Sequence, residues 1–538
     1  MKPHIPLLLL SALLATAPVK ANLAEMATIP GHPAFIPDYD YFIVENNPSS
    51  IIPPVYKVGC FWAEQPRSYL QHDFRAMAFF KEDANMLALH GGSIASLAGS
   101  IILKDVLLNG TSLTTKTDGI DDEKWGLPQV AIDGVVFGSP DISVTSNYCT
   151  IRNWSGADMN FLLGITGASF ERGTATGNVS ITSLTDVKIN TLAITNGGLS
   201  IHDYSPIVEP KDWSVELCNL KVSGGVTVDV ASNAKNSVKI DNLTITNGAL
   251  SIHYSQYAQQ YAPNDGVVEL NDISASGGVT VDAHSNYGRI NVNNLTTGSS
   301  NVASSLLARE INLYGEINCD QLNIQASRSV ALDGCVLSCN QLTISSIDAN
   351  KPDITCNGSI NVQGTATLTG RNIYGSFVKA DLSANEWKIT ADECVDYTGA
   401  LRGNKQTITA KNVKLSGDVS GNTIGISASE EVALSGNMKV EKYLGISAPD
   451  IELQGSIIGQ GQPITTWVYL KGDNIRKTKA EGDFIAGRCD LEASKKVNIQ
   501  GTIQVGALVV KADEAITLDT VVGLEETIKS AELIGGSE

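Results

Sequence analysis

The stretch 192–285 says nearly the same thing twice, and this self-similarity limits the folds open to the chain more than any other feature. Leu192-Ala-Ile-Thr-Asn-Gly-Gly-Leu-Ser-Ile-His202 returns 51 residues later as Leu243-Thr-Ile-Thr-Asn-Gly-Ala-Leu-Ser-Ile-His253. Val215-Glu-Leu-Cys-Asn-Leu-Lys-Val-Ser-Gly-Gly-Val-Thr-Val-Asp229 returns 53 residues later, ending on Asp282. The two phrases are themselves related: Val187, Leu192, Ile194 and Thr195 fall on Val215, Leu220, Val222 and Ser223 with one offset of 28. A unit of roughly 20 to 28 residues cannot bury a core alone and must stack on copies of itself. Alternation at Leu243, Ile245, Leu250 and Ile252 puts those side chains on one face of short strands. Thr246-Asn-Gly248 and Ser276-Gly-Gly278 supply the corners, where positive φ is cheap for Gly and tolerable for Asn. The expected fold is therefore all-β, a single-stranded parallel, right-handed β-helix solenoid of about 20 coils with an N-terminal and a short C-terminal cap.

A second phrase, apolar-any-apolar-any-Gly, begins at Val106 and Val130 and becomes frequent later. It occurs at Ile311, Val330, Ile354, Val395, Val413, Val432, Ile451, Val468 and Val497, several of them 19 residues apart. Ile408-Thr-Ala410, Ile426-Ser-Ala428 and Ile446-Ser-Ala448 precede it in the same rhythm. Over residues 311–522 this resembles the parallel β-helices of filamentous-haemagglutinin type and autotransporter passengers. That resemblance implies a solenoid at the cell surface. Cys149 to Ser180, with Trp154 and Phe161, follows neither phrase. Val432, Leu434, Ile451 and Leu453 are expected to be buried.

Residues 1–21 read as a signal peptide: Lys2, an apolar run from Leu7 to Leu14, and Val19-Lys-Ala21 as cleavage sequence. The run is too short to span a bilayer, and no later stretch approaches a transmembrane helix. Aromatic and proline residues crowd the following segment, 22–91, which suits a cap over the exposed edge of a first coil. Wide coils with two excursions occupy 92–300, coils of about 19 residues occupy 301–522, and 523–538 closes the chain.

A net charge of −19 argues against nucleic acid as a partner. Nine cysteines are an odd number with no Cys-x-x-Cys pair. Cys356 occupies an inward slot, while bridges linking Cys335 and Cys339 to each other, or to Cys319 and Cys356, remain open. No phosphate loop, nucleophile elbow or His-Glu-x-x-His motif is present, and no cofactor is expected.

Two groups of residues are candidates for a site. Excursions leave the coil after His202 and His253, carrying Tyr204, Asp212 and Trp213 on one and Tyr254, Tyr257, Tyr261 and Asp265 on the other. Aromatics with acids on loops suit sugar stacking and hydroxyl recognition, but they equally suit loops packed onto the solenoid. The second group follows from register. Ile201, Val228, Ile252 and Val281 point inward, so His202, Asp229, His253 and Asp282 should form an outward column, either as an ion-paired ladder or as ligands to a shared zinc ion.

The expected role is that of an exported, non-enzymatic surface protein, structural or adhesive, with a glycan or other surface polymer as partner. A β-helix polysaccharide lyase or glycoside hydrolase is the alternative. A scaffold subunit that self-associates end to end is a third reading.

Overall fold

The computed structural model describes residues 72–81, 86–96, 101–104, 106–115 and 129–523, apart from 139, 147, 165–166, 184–185, 204–212, 231–235, 255–265, 284–287, 299–300, 376–380, 462–463 and 480–481. The described residues form 33 strands and no helix. They build a parallel β-solenoid of about 16 turns, where about 20 coils were expected. The expected signal peptide, most of the proposed N-terminal cap and nearly all of the closing segment lie outside the described residues. The chain divides into two compact units, residues 1–280 and 281–538.

In the first unit, the strand His72–Lys81 runs antiparallel to Met86–Ser96, which pairs in parallel with Val106–Thr115. From there every turn is parallel. Val187 pairs with Val215, Leu192 with Leu220 and Ile194 with Val222, the register that the offset of 28 implied. Ile181, Ile201, Val228 and Ile252 follow one another on the opposite wall, each fully buried. Alternation of apolar and polar residues puts one side chain in two inside the coil, so the core grows with each turn.

The region without a legible rhythm is regular in space. Cys149 pairs with Ala168, and Ala168 with Val187. Trp154 lies opposite Gly173, and a Cβ on that glycine would overlap the indole. Trp154, Phe161, Phe170 and Phe137 pack edge to face, with centroids 5.1 to 6.2 Å apart. A large side chain on one coil is matched by a missing one on the next, which hides the period in the sequence. Conversely, Val130 pairs with Ile101 and Cys149, so the phrases at Val106 and Val130 are not equivalent positions.

Six successive coils of the first unit bend at one left-handed residue inside a strand: Asn153, Arg172, Thr191, Asn219, Asn242 and Asp272, with φ between 48° and 64°. The pairing skips these residues, which stack in a column of their own. The Asn-Gly and Gly-Gly corners differ from expectation. Gly224, Gly248 and Gly277 are not left-handed; they are needed because neighbouring coils approach closely there. A Cβ on Gly277 would lie 2.7 Å from the Gly248 carbonyl oxygen, and one on Gly224 2.8 Å from that of Gly197.

In the second unit, Val413 pairs with Val432 and Val432 with Ile451, while Ile408, Ile426 and Ile446 follow one another on a second wall. Val432, Leu434, Ile451 and Leu453 are at most 3% exposed. One member of the phrase is out of phase. Ile451 pairs with Ile475, whereas Val468 continues the second wall by pairing with Leu444. The glycine that ends the phrase also serves two purposes. Gly315 and Gly334 have φ near +63°, but a Cβ on Gly436 or Gly455 would run into the carbonyl of the glycine one coil earlier.

Candidate functional site

The outward column of the first unit stands where register places it. His202 pairs with Asp229, and Asp229 with His253. His202 Nδ1 lies 2.9 Å from Asp229 Oδ2, both side chains about two-fifths exposed (40% and 42%). His253 turns to its own strand instead, with Nε2 2.6 Å from Ser251 Oγ. Among the described residues no three His, Cys, Asp or Glu side chains gather to hold a metal ion. In this structure His202 and Asp229 thus form an exposed imidazole–carboxylate pair, with the His253 ring turned toward Ser251. Asp282 ends the strand Val279–Asp282 and belongs to the second unit.

Of the excursion residues, Tyr204, Asp212, Tyr257, Tyr261 and Asp265 lie outside the described residues. Trp213 corrects the expectation of an exposed aromatic. It opens the strand Trp213–Val222, points inward in phase with Val215 and Leu217, and is 2% exposed. Its place opposite Asn236 makes it part of the core wall. Tyr254 ends the strand Leu250–Tyr254 half-buried, and its hydroxyl donates to the Val267 carbonyl at 3.4 Å. Burial pushes that phenol well above the ordinary tyrosine range. Both side chains thus follow the packing alternative.

The second unit carries a face that sequence reasoning missed. Tyr443, Trp467 and Arg488 occupy one outward position on three successive turns. Two residues further along the same turns, Gly445, Tyr469 and Asp490 are aligned, and beyond them Ser447, Lys471 and Glu492. Period-two alternation sends all of these outward, while Val468, Leu470, Cys489 and Leu491 fill the core. Trp467 is 42% exposed, a large apolar surface for a solenoid wall.

This face is held in place by its own contacts. The Trp467 ring meets Tyr443 edge-on at 5.5 Å and Tyr469 at 6.5 Å, and the Arg488 guanidinium lies 5.3 Å from its centroid. Trp467 Nε1 donates to Asp490 Oδ2 at 3.0 Å, and Arg488 donates to both oxygens of the same carboxylate. Asp490 is 7% exposed, so it serves as a buried anchor for the indole and the guanidinium. Tyr469 donates its hydroxyl to Glu492 Oε2 at 2.8 Å, and Lys511 reaches Glu492 Oε1 at 3.2 Å. The Tyr469 hydroxyl, helped by Lys511, holds Glu492 below the usual carboxylate range, and the Tyr469 phenol is pushed up to about 12 chiefly by that bond.

No family model, curated protein or solved structure matches this chain. The rings of the Trp467 face are pinned by hydrogen bonds and by a stacked cation, so little rotamer freedom is lost when a ligand settles on them. Its ionised carboxylates have acceptor positions beyond the bonds they already make. Trp467-Val-Tyr469 and Arg488-Cys-Asp490-Leu-Glu492 carry the signal as alternating outward residues in one register. That signal is legible only in the true phase of Val468, which the glycine phrase misassigns.

Proposed function

We propose that this chain is an exported β-solenoid that binds carbohydrate on the outward face around Trp467, in an adhesive or structural role at the cell surface. The half-exposed indole, flanked by Tyr443 and Tyr469 and rimmed by Glu492, carries this reading. An aromatic ring offers an apolar platform for the C–H face of a sugar, and a neighbouring carboxylate accepts hydrogen bonds from its hydroxyls. Arg488 and Lys511 are already neutralised by Asp490 and Glu492, and the chain as a whole is acidic. Neutral polysaccharides are thus favoured over anionic ones. The leader at 1–21 supports export, with a mature chain starting near Asn22.

Titrating the protein with a panel of neutral oligosaccharides by calorimetry, with product analysis on the same samples, tests the reading. Trp467→Ala is expected to weaken binding by about tenfold while leaving the circular dichroism unchanged, since the side chain lies outside the core. Equal affinity in the wild type and the variant, or no binding by the wild type, would overturn it. Release of shortened sugars would turn the reading toward catalysis.

A further inference from the structure

The second unit contains a cavity of about 350 Å³ with Thr297, Cys319, Asp320, Cys339, Asn340 and Asn361 in its wall. The register around the two cysteines is continuous. Ile317 pairs with Leu337 and Asn318 with Ser338; the Cys319 amide donates to the Ser338 carbonyl at 3.1 Å, and the Asn340 amide to the Asp320 carbonyl at 2.8 Å. Cys319 and Cys339 are therefore the same position on successive coils. On either side of them the column continues as Thr297 and Val362.

We propose that Cys319 and Cys339 form a redox-sensitive pair, closing into a disulfide between neighbouring coils when the chain meets a small organic disulfide. Adjacent strands hold such positions about 4.8 Å apart, inside the Cα separation of about 4.4 to 6.8 Å that a disulfide accepts. Both side chains border the same cavity, which gives an oxidant a way in. They are 9% and 6% exposed.

No other cysteine among the described residues has this arrangement. Cys335 falls in the register slip between Asp333 and Val336, and Cys356 pairs with Leu332. Cys149 sits between Val130 and Ala168, Cys218 between Asn190 and Asp241, Cys394 between Asn372 and Asn412, and Cys489 beside Val468. All the described cysteines are free thiols in this structure.

The exchange balances in two steps. The thiolate of Cys339 attacks one sulfur of the small disulfide and releases one small thiol. Cys319 then attacks the Cys339 sulfur of the mixed disulfide, releasing the second. The small disulfide takes up both electrons and both protons, and the protein gains one S–S bond. Burial pushes Cys319 up to about 11 and Cys339 up to about 12, with Cys319 and Asp320 adding to the effect on Cys339. Closure is thus slow at neutral pH and quickens with the thiolate fraction, about tenfold per pH unit.

The test treats the full-length protein with hydroxyethyl disulfide, quenches in acid, alkylates after unfolding and maps peptides without reductant. A cross-linked peptide joining Cys319 to Cys339 is expected, formed faster at pH 9 than at pH 7 and reversed by reductant. In Cys319→Ser, Cys339 is expected to stop at the mixed disulfide, because its resolving partner is gone. Full alkylation of both cysteines, separate mixed disulfides on each, or a bridge to Cys60 or to a second chain would overturn the proposal.

Discussion

At the scale of single residues, the left-handed column gives the most direct lever on stability. Asn219 and Asn242 meet its backbone demand with little strain, and Asn242 Nδ2 donates to Asn219 Oδ1 at 2.8 Å. Thr191, at φ 64°, occupies the same position with a β-branched side chain, for which the left-handed region is costly. Thr191→Asn should therefore stabilise the chain by about 0.5 to 1 kcal/mol and extend the asparagine ladder by one rung. Urea unfolding measures this, and an unchanged or lower midpoint would refute it. The column is invisible in the sequence because backbone geometry is its only requirement, and Asn, Arg, Thr and Asp all supply it. The aromatic face also resists reading, since outward residues repeat in position but not in identity.

The Glu492–Tyr469 contact yields a prediction in pH. Glu492 is held below its usual value in the fold, so the contact contributes above the unfolded glutamate pKa and is lost as pH falls through the folded one. Tyr469→Phe should move the Glu492 titration back up toward the ordinary range, as read by carboxyl NMR. A titration that stays in place would mean the hydroxyl is not what holds the carboxylate.

At the scale of strands and coils, repetition makes most of the architecture legible. Period-two alternation alone singles out Val432, Leu434, Ile451 and Leu453 as buried, and the offset of 28 names real pairing partners. The glycines serve a different purpose from the one their motif suggests. A local sequence motif shows that Gly248 lies at a corner between strands, but not that the backbone of another coil, more than twenty residues away, presses against it. Leu434→Ala should cost about 2 to 5 kcal/mol through the cavity it leaves. Gly436→Ala adds only a methyl group, yet it should also destabilise markedly, because that methyl meets the Gly417 carbonyl. Thermal melts of the two variants make the comparison, and a neutral Gly436→Ala would rule out the close approach.

At the scale of the whole molecule, coils that touch only their sequence neighbours keep damage local. In Leu434→Ala, hydrogen exchange should quicken in strands around Val413, Val432 and Ile451, while Val130, Ile151 and Ile181 in the first unit keep their protection. Uniform loss of protection along the chain would contradict this. The same construction sets apart two kinds of change in the gene. Corresponding positions such as Asn219, Asn242 and Asn271's neighbour Asp272 are reached after 23 and then 30 residues, and the strands still meet in register. The number of residues from one described strand to its partner on the next coil thus varies while the pairing stays in register. A single codon lost between Val215 and Val222 would turn every later side chain of that strand to the wrong side of the wall. The chain is thus written partly in a frame that tolerates no slip and partly in free spacing, and new loops can enter it at the second without rewriting the first.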